Sequence, residues 1–306
     1  MIIKLSPDLK KEEIYANGNE LANIMGMDRE RGRRVLDYPM EKKVFVHSFN
    51  NPVLLTDNYR ISQLNPSLRD TIFSLFSSRL RIVEYDGVGT IDDGTYKSVW
   101  CPSIDTILFA LALKRLFRKR ENFHRAVEIG TGSGFLSKYA LAKNKHIGSI
   151  LVNDLNPFAI KCAMNNIHDK RVVFYQGDGI EKIKEDKYDL IMCNPPYIPR
   201  PDSIDDNPYE GVSLLYNLVH NGHSYLNKNG ILIVNISSLC AHILFKRKPK
   251  MKMTVLAKLK VPLKVNNVMN NKEWLRYLTG KKIIKKKFNR GYEYWQELKI
   301  VSFENI

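Results

Sequence analysis

Four residues, Asn194-Pro195-Pro196-Tyr197, close the apolar run Tyr188-Asp-Leu-Ile-Met-Cys193. The two prolines fix φ and stiffen the turn after the strand. The asparagine offers a carbonyl acceptor and an amide donor. The tyrosine ring offers a flat wall. Together they can grip a small planar group such as a –CO–NH2 or a ring –NH2. Such a grip predicts chemistry on a nitrogen, provided that the chain also holds a group donor.

The elements upstream provide room for one. Arg125-Ala-Val-Glu-Ile-Gly130-Thr-Gly132-Ser-Gly134-Phe135 reads as a buried strand, a glycine-rich turn and a helix running to about Lys143. Glycines in such a turn let the backbone pass close to a ligand. A second apolar run, Ser149 to Asn153, ends at Asp154, and Asn156-Pro157 opens the next helix. A third, Arg171 to Tyr175, leads to Gly177-Asp178, and the fourth ends at Asn194. Strand alternating with helix predicts an α/β fold with a mostly parallel sheet covered on both faces. Ligands in such sheets sit at the carboxyl ends of the strands. Glu128, Asp154, Asp178 and Asn194 fall at or near those ends.

A dinucleotide fingerprint wants its third glycine three residues after the second. Position 135 is Phe, so that fingerprint fails. The spacing of Gly130, Gly132 and Gly134 instead resembles that of the class I S-adenosylmethionine-dependent methyltransferases. The resemblance implies a Rossmann-like sheet ending in an antiparallel hairpin, with S-adenosylmethionine as cofactor. It further implies that Gly130, Thr131, Gly132 and Gly134 wrap the methionine part and that Glu128 organises its amino group. Asp154 would accept from the ribose hydroxyls, Asp178 would face the adenine amine, and Asn194 would border the same site. Taken singly, these acids also read as ordinary strand-end and cap residues.

The chain has 306 residues, enough for two domains or one large one with appendages. No apolar run is long enough to span a membrane, and the first residues lack the pattern of a signal peptide. Cys101, Cys162, Cys193 and Cys240 show no metal-binding spacing, so a cytoplasmic, metal-free protein with reduced thiols is expected. Charge is concentrated. Residues 241–290 hold sixteen Lys or Arg and one acid, Glu273, nearly the whole net charge of +16. A solvated face explains such a run. So does an anionic partner such as RNA or a ribosome. Aromatics interleave with it, Trp274 and Tyr277 among them, and core packing accounts for these equally well.

Residues 1–84 read as a smaller N-terminal accessory or substrate region, ahead of a methyltransferase domain over 85–306. In the first part, helices are expected over 10–25 and 67–80, with short strands over 43–47 and 52–55. A hairpin is expected from Leu80 to Trp100, turning around Asp92-Asp93-Gly94. The apolar helix after it follows Trp100-Cys-Pro102-Ser-Ile-Asp105-Thr106, placed to cover the cofactor. Near the end, residues 249–262 read as a linker and Asn271 to Leu278 as a helix. Lys281 to Phe288 and Tyr294 to Phe303 read as the closing antiparallel pair, joined by Asn289-Arg290-Gly291.

Three stretches narrow the resemblance: Trp100-x-Pro102-x-x-Asp105-Thr106, Asn194-Pro-Pro-Tyr-Ile-Pro199 and Gly211-Val-Ser-Leu-Leu-Tyr216. Over residues 85–238 they resemble the release-factor glutamine methyltransferases. The family's pattern implies that Asn194 and the carbonyl of Pro195 hold a glutamine amide on which Tyr197 packs. It implies a release factor as protein substrate. The same tetrapeptide occurs in enzymes that methylate the exocyclic amine of adenine or guanine in RNA or DNA, and the basic segment suits such an acceptor. A third class, an inactive RNA- or protein-binding scaffold, is disfavoured by the intact motifs.

Overall fold

A computed structural model describes residues 81–92, 96, 98–100, 102–202, 210–263, 268, 271–287 and 294–305, together with the backbone of three short strands before them. Those strands are β1 (Met27–Asp28), β2 (Arg33–Leu36) and β3 (Val44–His47). They form an antiparallel five-stranded sheet with β4 (Arg81–Tyr85) and β5 (Val88–Asp92). The strand expected over 43–47 is therefore present. The expected helices over 10–25 and 67–80, the strand over 52–55 and the turn at 289–291 lie outside the described residues.

The β4–β5 hairpin turns at Asp86-Gly87, not around Asp92-Asp93-Gly94. Asp86 and Gly87 both have positive φ, 54° and 77°. That is the backbone a two-residue hairpin turn requires. Asp-Gly occurs at 86–87 and again at 93–94, and the first pair makes the turn. The hairpin packs firmly on the helices after it: Tyr85 is fully buried, and Lys114 and Tyr139 both reach the Asp86 carboxylate at 3.1 Å.

Helix α1 (Ile104–Lys119) leads into the main sheet. Its elements run in order as β6 (Arg125–Ile129), α2 (Phe135–Lys143), β7 (Ser149–Asp154), α3 (Pro157–Asn166), β8 (Val172–Gln176), α4 (Gly179–Ile183) and β9 (Tyr188–Cys193). Then come α5 (Ser213–Asn221), β10 (Leu226–Ser237), α6 (Ala241–Leu244), β11 (Lys252–Pro262), α7 (Lys272–Gly280) and β12 (Trp295–Glu304). The strand order is β11-β12-β10-β9-β6-β7-β8. Strands β8, β7, β6, β9 and β10 run parallel, and β12 is antiparallel to both of its neighbours.

Alternate residues of the parallel strands enter two different cores. Ala126, Leu190, Met192 and Ile233 face one with α1 and α2; Val127, Ile191, Cys193 and Val234 face the other with α5. A sheet buried on both faces reads as continuous apolar runs, which is why these strands are legible in the sequence.

The terminal hairpin is present, but it pairs β12 with β11 from Lys252↔Glu304 to Pro262↔Trp295, with a one-residue shift between Val255 and Ala257. The stretch expected to be a linker is thus a strand, and Lys281–Lys287 is not. Lys252-Met-Thr-Val-Leu-Ala-Lys-Leu-Lys-Val alternates and carries β-branched residues, as a strand does. Its lysines suit an exposed sheet edge, where charge discourages pairing with other chains. Lys281–Lys287 instead turns away after α7, with Lys282 at φ 56°. Among the described residues no helix is long and apolar enough to cross a membrane.

Candidate active site

The strand order reverses between β6 and β9. The crevice at such a point is where open parallel sheets bind ligands. Register decides what lines it. Ile129 pairs with Asn153 and with Cys193, and Cys193 pairs with Val234. One residue further along each strand come Gly130, Asp154, Asn194 and Asn235, side by side at the carboxyl edge.

The turn after β6 has positive φ at all three glycines: 73° at Gly130, 54° at Gly132 and 84° at Gly134. Two of them are also sterically fixed. A Cβ on Gly132 would lie 2.8 Å from the carbonyl oxygen of Trp100, and one on Gly134 would lie 2.9 Å from the Ile167 side chain. The segment before α1 therefore lies directly over the glycine turn. Asn156 Nδ2 ties it further by donating to the carbonyl of Ser98 at 3.2 Å.

Asp154 organises the turn from β7. Its Oδ2 accepts from Gly132 N at 2.9 Å and its Oδ1 from Asn156 N at 2.9 Å. Burial raises its carboxyl above the ordinary value, and these two N–H groups oppose the rise. Glu128 is 1 % exposed. Thr131 Oγ1 and Ser137 N each donate to its Oε2 at 2.9 Å, and the Ser137 hydroxyl donates to the same oxygen. Burial pushes the Glu128 carboxyl from near 4.5 up to about 7, partly offset by the Ser137 and Thr131 bonds.

That shift has a consequence for stability. The folded chain holds the Glu128 proton through a range where the unfolded chain has lost it, so stability falls as pH rises from about 4.5 to about 7. Glu128→Gln should remove this slope. Urea unfolding at a series of pH values is the check; parallel pH profiles for the two proteins would contradict the assignment.

Asp178 is exposed and caps α4, its Oδ1 accepting from Ile180 N at 2.8 Å and Glu181 N at 3.2 Å. Asn153 holds the neighbouring loop by donating to the carbonyls of Tyr175 and Gly177.

Asn194 is not isolated either. Its Nδ2 donates to Asp105 Oδ2 at 3.0 Å, and its Oδ1 accepts from Asn235 Nδ2 at 3.0 Å. Pro195 is buried, and Tyr197 packs against three apolar clusters. The third cluster joins Ile198 to Leu239, Trp274, Leu278 and Tyr294, and Trp274 Nε1 donates to the carbonyl of Pro199 at 2.7 Å. The basic insertion between β11 and β12 is thereby fastened to the loop that begins at Asn194. A cavity of about 690 Å³ opens beside that loop, lined in part by Pro199, Arg200, Gly211, Tyr216 and Tyr277. Cys193 is fully buried, with its thiol pushed well up by burial, which makes it part of the strand packing.

The model for the family described as methyltransferase small domain matches residues 107–258. A Methanocaldococcus jannaschii relative named putative protein N5-glutamine methyltransferase is 31% identical over 203 residues, covering 62% of this chain and 98% of its own. This chain belongs to the class I S-adenosylmethionine-dependent methyltransferases. A release factor glutamine methyltransferase of Geobacter sulfurreducens is 28% identical over 155 residues, 45% of this chain and 53% of that one. This methyltransferase thus spans nearly all of the first relative and about half of the second. Among solved structures, a protein named putative SAM-dependent methyltransferase from Streptococcus mutans superposes with a TM-score of 0.47 at 12% identity, over 74% of this chain and 56% of the other.

The cofactor of the methyltransferase is S-adenosylmethionine. The donor set fits it: the molecule presents an ammonium, two ribose hydroxyls and an amine, all hydrogen-bond donors, and the strand ends present carboxylates. The Thr131 and Ser137 bonds to Glu128 all fall on Oε2. Sequence reasoning finds Glu128, Asp154 and Asn194 but misses Asn235. Its one signal is a polar residue within the apolar run Ile231–Ile236.

Proposed function

We propose that this methyltransferase methylates the side-chain amide nitrogen of a protein glutamine, with a release factor as its substrate. The observation that carries this is the Asn194 carboxamide, held from both sides at the carboxyl end of β9. The relatives named for glutamine methylation support the reading.

In this reading Glu128 receives the cofactor's ammonium, Asp154 its ribose hydroxyls and Asp178 its adenine amine. The turn Gly130, Thr131, Gly132 and Gly134 surrounds the methionine part. When bound, S-adenosylmethionine supplies a methyl group on a positively charged sulfur. The chain's own contribution is placement. Asn194 Oδ1 and the Pro195 carbonyl accept the two N–H bonds of the acceptor amide, and Tyr197 supports its plane. An amide lone pair is delocalised and weakly nucleophilic. Holding both N–H bonds aims that lone pair, and alignment is the main source of acceleration. No strong base is needed, because the nitrogen can lose its extra proton to solvent after it gains the methyl. Residues 1–84 then act as an accessory or substrate region ahead of the catalytic domain, 85–306.

One observation favours a second acceptor, an exocyclic amine of adenine or guanine in RNA or DNA. Every described Lys and Arg of residues 241–290 is exposed. Trp274 links this basic insertion to Pro199. The same surface suits ribosomal RNA if a release factor is the substrate. Replacing Lys281, Lys282, Lys285, Lys286 and Lys287 by Glu should weaken binding to ribosomal RNA. It should also flatten the salt dependence, by about 0.7–0.9 in log–log slope for each phosphate no longer neutralised. Fluorescence polarisation across a salt series measures both, and an unchanged slope would mean a solvated face only.

The acceptors are separated by tritiated methyl transfer onto purified release factor and onto total RNA. Label on release factor is expected. Label confined to protease-resistant RNA would favour the nucleobase reading instead.

A further inference from the structure

Asn194 sits in a chain of hydrogen bonds that runs through three elements. Asp105 lies in the first turn of α1 and is 4 % exposed. Its Oδ1 is occupied by Thr106 N at 2.9 Å and by the Ser103 hydroxyl, so its Oδ2 is the oxygen facing Asn194. A carboxylate only accepts. The Asn194 amide must therefore point its –NH2 at Asp105 and its oxygen at Asn235. Turning Asn194 over would set oxygen against oxygen on one side and –NH2 against –NH2 on the other.

Asn235 is fully buried in β10 between Val234 and Ile236, and its own Oδ1 has no hydrogen-bond partner among the described residues. A buried acceptor without a donor lowers stability, and an apolar residue there would not incur that loss. Asn235 thus places a polar group in an otherwise apolar strand, and its amide –NH2 donates to Asn194.

We propose that Asp105 and Asn235 are positioning residues that fix the orientation of the Asn194 carboxamide for methyl transfer. This role rests on Asn194 as the clamp on the acceptor nitrogen. Asp105 selects the direction of the amide from the helix side. Asn235 holds its oxygen from the strand side, so that the remaining lone pair of Oδ1 has a fixed direction. Without Asp105, both orientations of the carboxamide become accessible, and one of them presents a donor to the N–H it should accept; without Asn235, the oxygen loses the bond that fixes its direction.

The experiment compares Asp105→Asn, Asn235→Leu and Asn194→Ala with the parent protein. Methyl transfer from tritiated S-adenosylmethionine is followed on purified release factor, or on total RNA if that is the labelled acceptor. Cofactor affinity and thermal unfolding are measured in parallel. Asp105→Asn and Asn235→Leu should each lower kcat by roughly 10²-fold, with cofactor affinity unchanged. Asn235→Leu removes an unpartnered buried oxygen but also takes the donor from Asn194 Oδ1, so its unfolding temperature should change little while kcat falls. Where Asp105→Asn does not fold, Asp105→Glu keeps the charge but displaces the oxygen, and the same loss of kcat is expected. Full kcat in the 105 and 235 variants, with transfer lost in Asn194→Ala, would overturn the positioning role alone. Loss of kcat that only tracks loss of stability would overturn it too. Full activity in Asn194→Ala would remove the clamp itself and the positioning role with it.

Discussion

Asn194→Ala is expected to lower kcat for methyl transfer by on the order of 10²-fold or more. The same variant should still bind S-adenosylmethionine. In the proposed reading the truncation removes one of two acceptors for the substrate's N–H bonds and leaves the roles proposed for Asp154 and Glu128 untouched. It also strands Asp105 Oδ2 and Asn235 Nδ2, which now bond to the Asn194 carboxamide. Leaving such buried groups unpaired costs about 1–3 kcal/mol, so the midpoint of urea unfolding should drop as well. Calorimetry for cofactor affinity, steady-state transfer for kcat and urea for stability separate the three effects. Asn194→Asp sharpens the result. It restores an acceptor but brings a second carboxylate against Asp105, so one of the two must take a proton. It should not recover activity. Undiminished kcat in Asn194→Ala would show that the acceptor nitrogen is held elsewhere.

Asp154→Ala is expected to act on the opposite partner. Each hydrogen bond from a hydroxyl to a carboxylate is worth about 1.5–3 kcal/mol, so with Asp154 as the proposed acceptor of both ribose hydroxyls, losing it weakens cofactor binding by roughly 10²-fold or more. A second effect adds to the first. Gly132 N and Asn156 N both donate to this carboxylate, and its removal releases the glycine turn that the cofactor must fit. Asp154→Asn keeps one acceptor oxygen and should fall between. Titration calorimetry gives the dissociation constants directly. An unchanged constant in Asp154→Ala would reduce Asp154 to an anchor of the turn.

Much of this site is readable because its strands are buried on both faces. Such strands are uninterrupted apolar runs, and their ends are marked by the first polar residue. Asn194 emerges from that rule, Asp154 follows directly on the first polar residue Asn153, Glu128 stands just before the glycine turn, and the glycine spacing sets that turn apart from a dinucleotide fingerprint. Asp178 emerges as well, though its visible role is to cap α4. The rule fails for Asn235, because Ile236 comes next and the apolar pattern resumes. Only the register with Cys193 reveals that Asn235 stands at the same edge as Asn194. The Asp105–Asn194 bond spans 89 positions and leaves no local trace. The two hairpins differ from expectation for separate reasons. Two Asp-Gly pairs compete for the first turn. In the second, lysines along an exposed edge make β11 resemble a charged linker, while the denser lysines of 281–287 lie outside any strand.

The most direct measurement of the acceptor exploits the chemistry of a methylated amide. Release factor labelled by this enzyme with tritiated S-adenosylmethionine is hydrolysed in strong acid, and the volatile amine is collected from base. A methyl on a glutamine side-chain nitrogen must leave as labelled methylamine, because hydrolysis cuts the amide at that nitrogen. Transfer to a glutamine amide held by Asn194 predicts that the protein-bound label distils as methylamine and that the Asn194→Ala enzyme yields none. Label that stays on a nucleobase, or on an amino acid that survives hydrolysis, would contradict it.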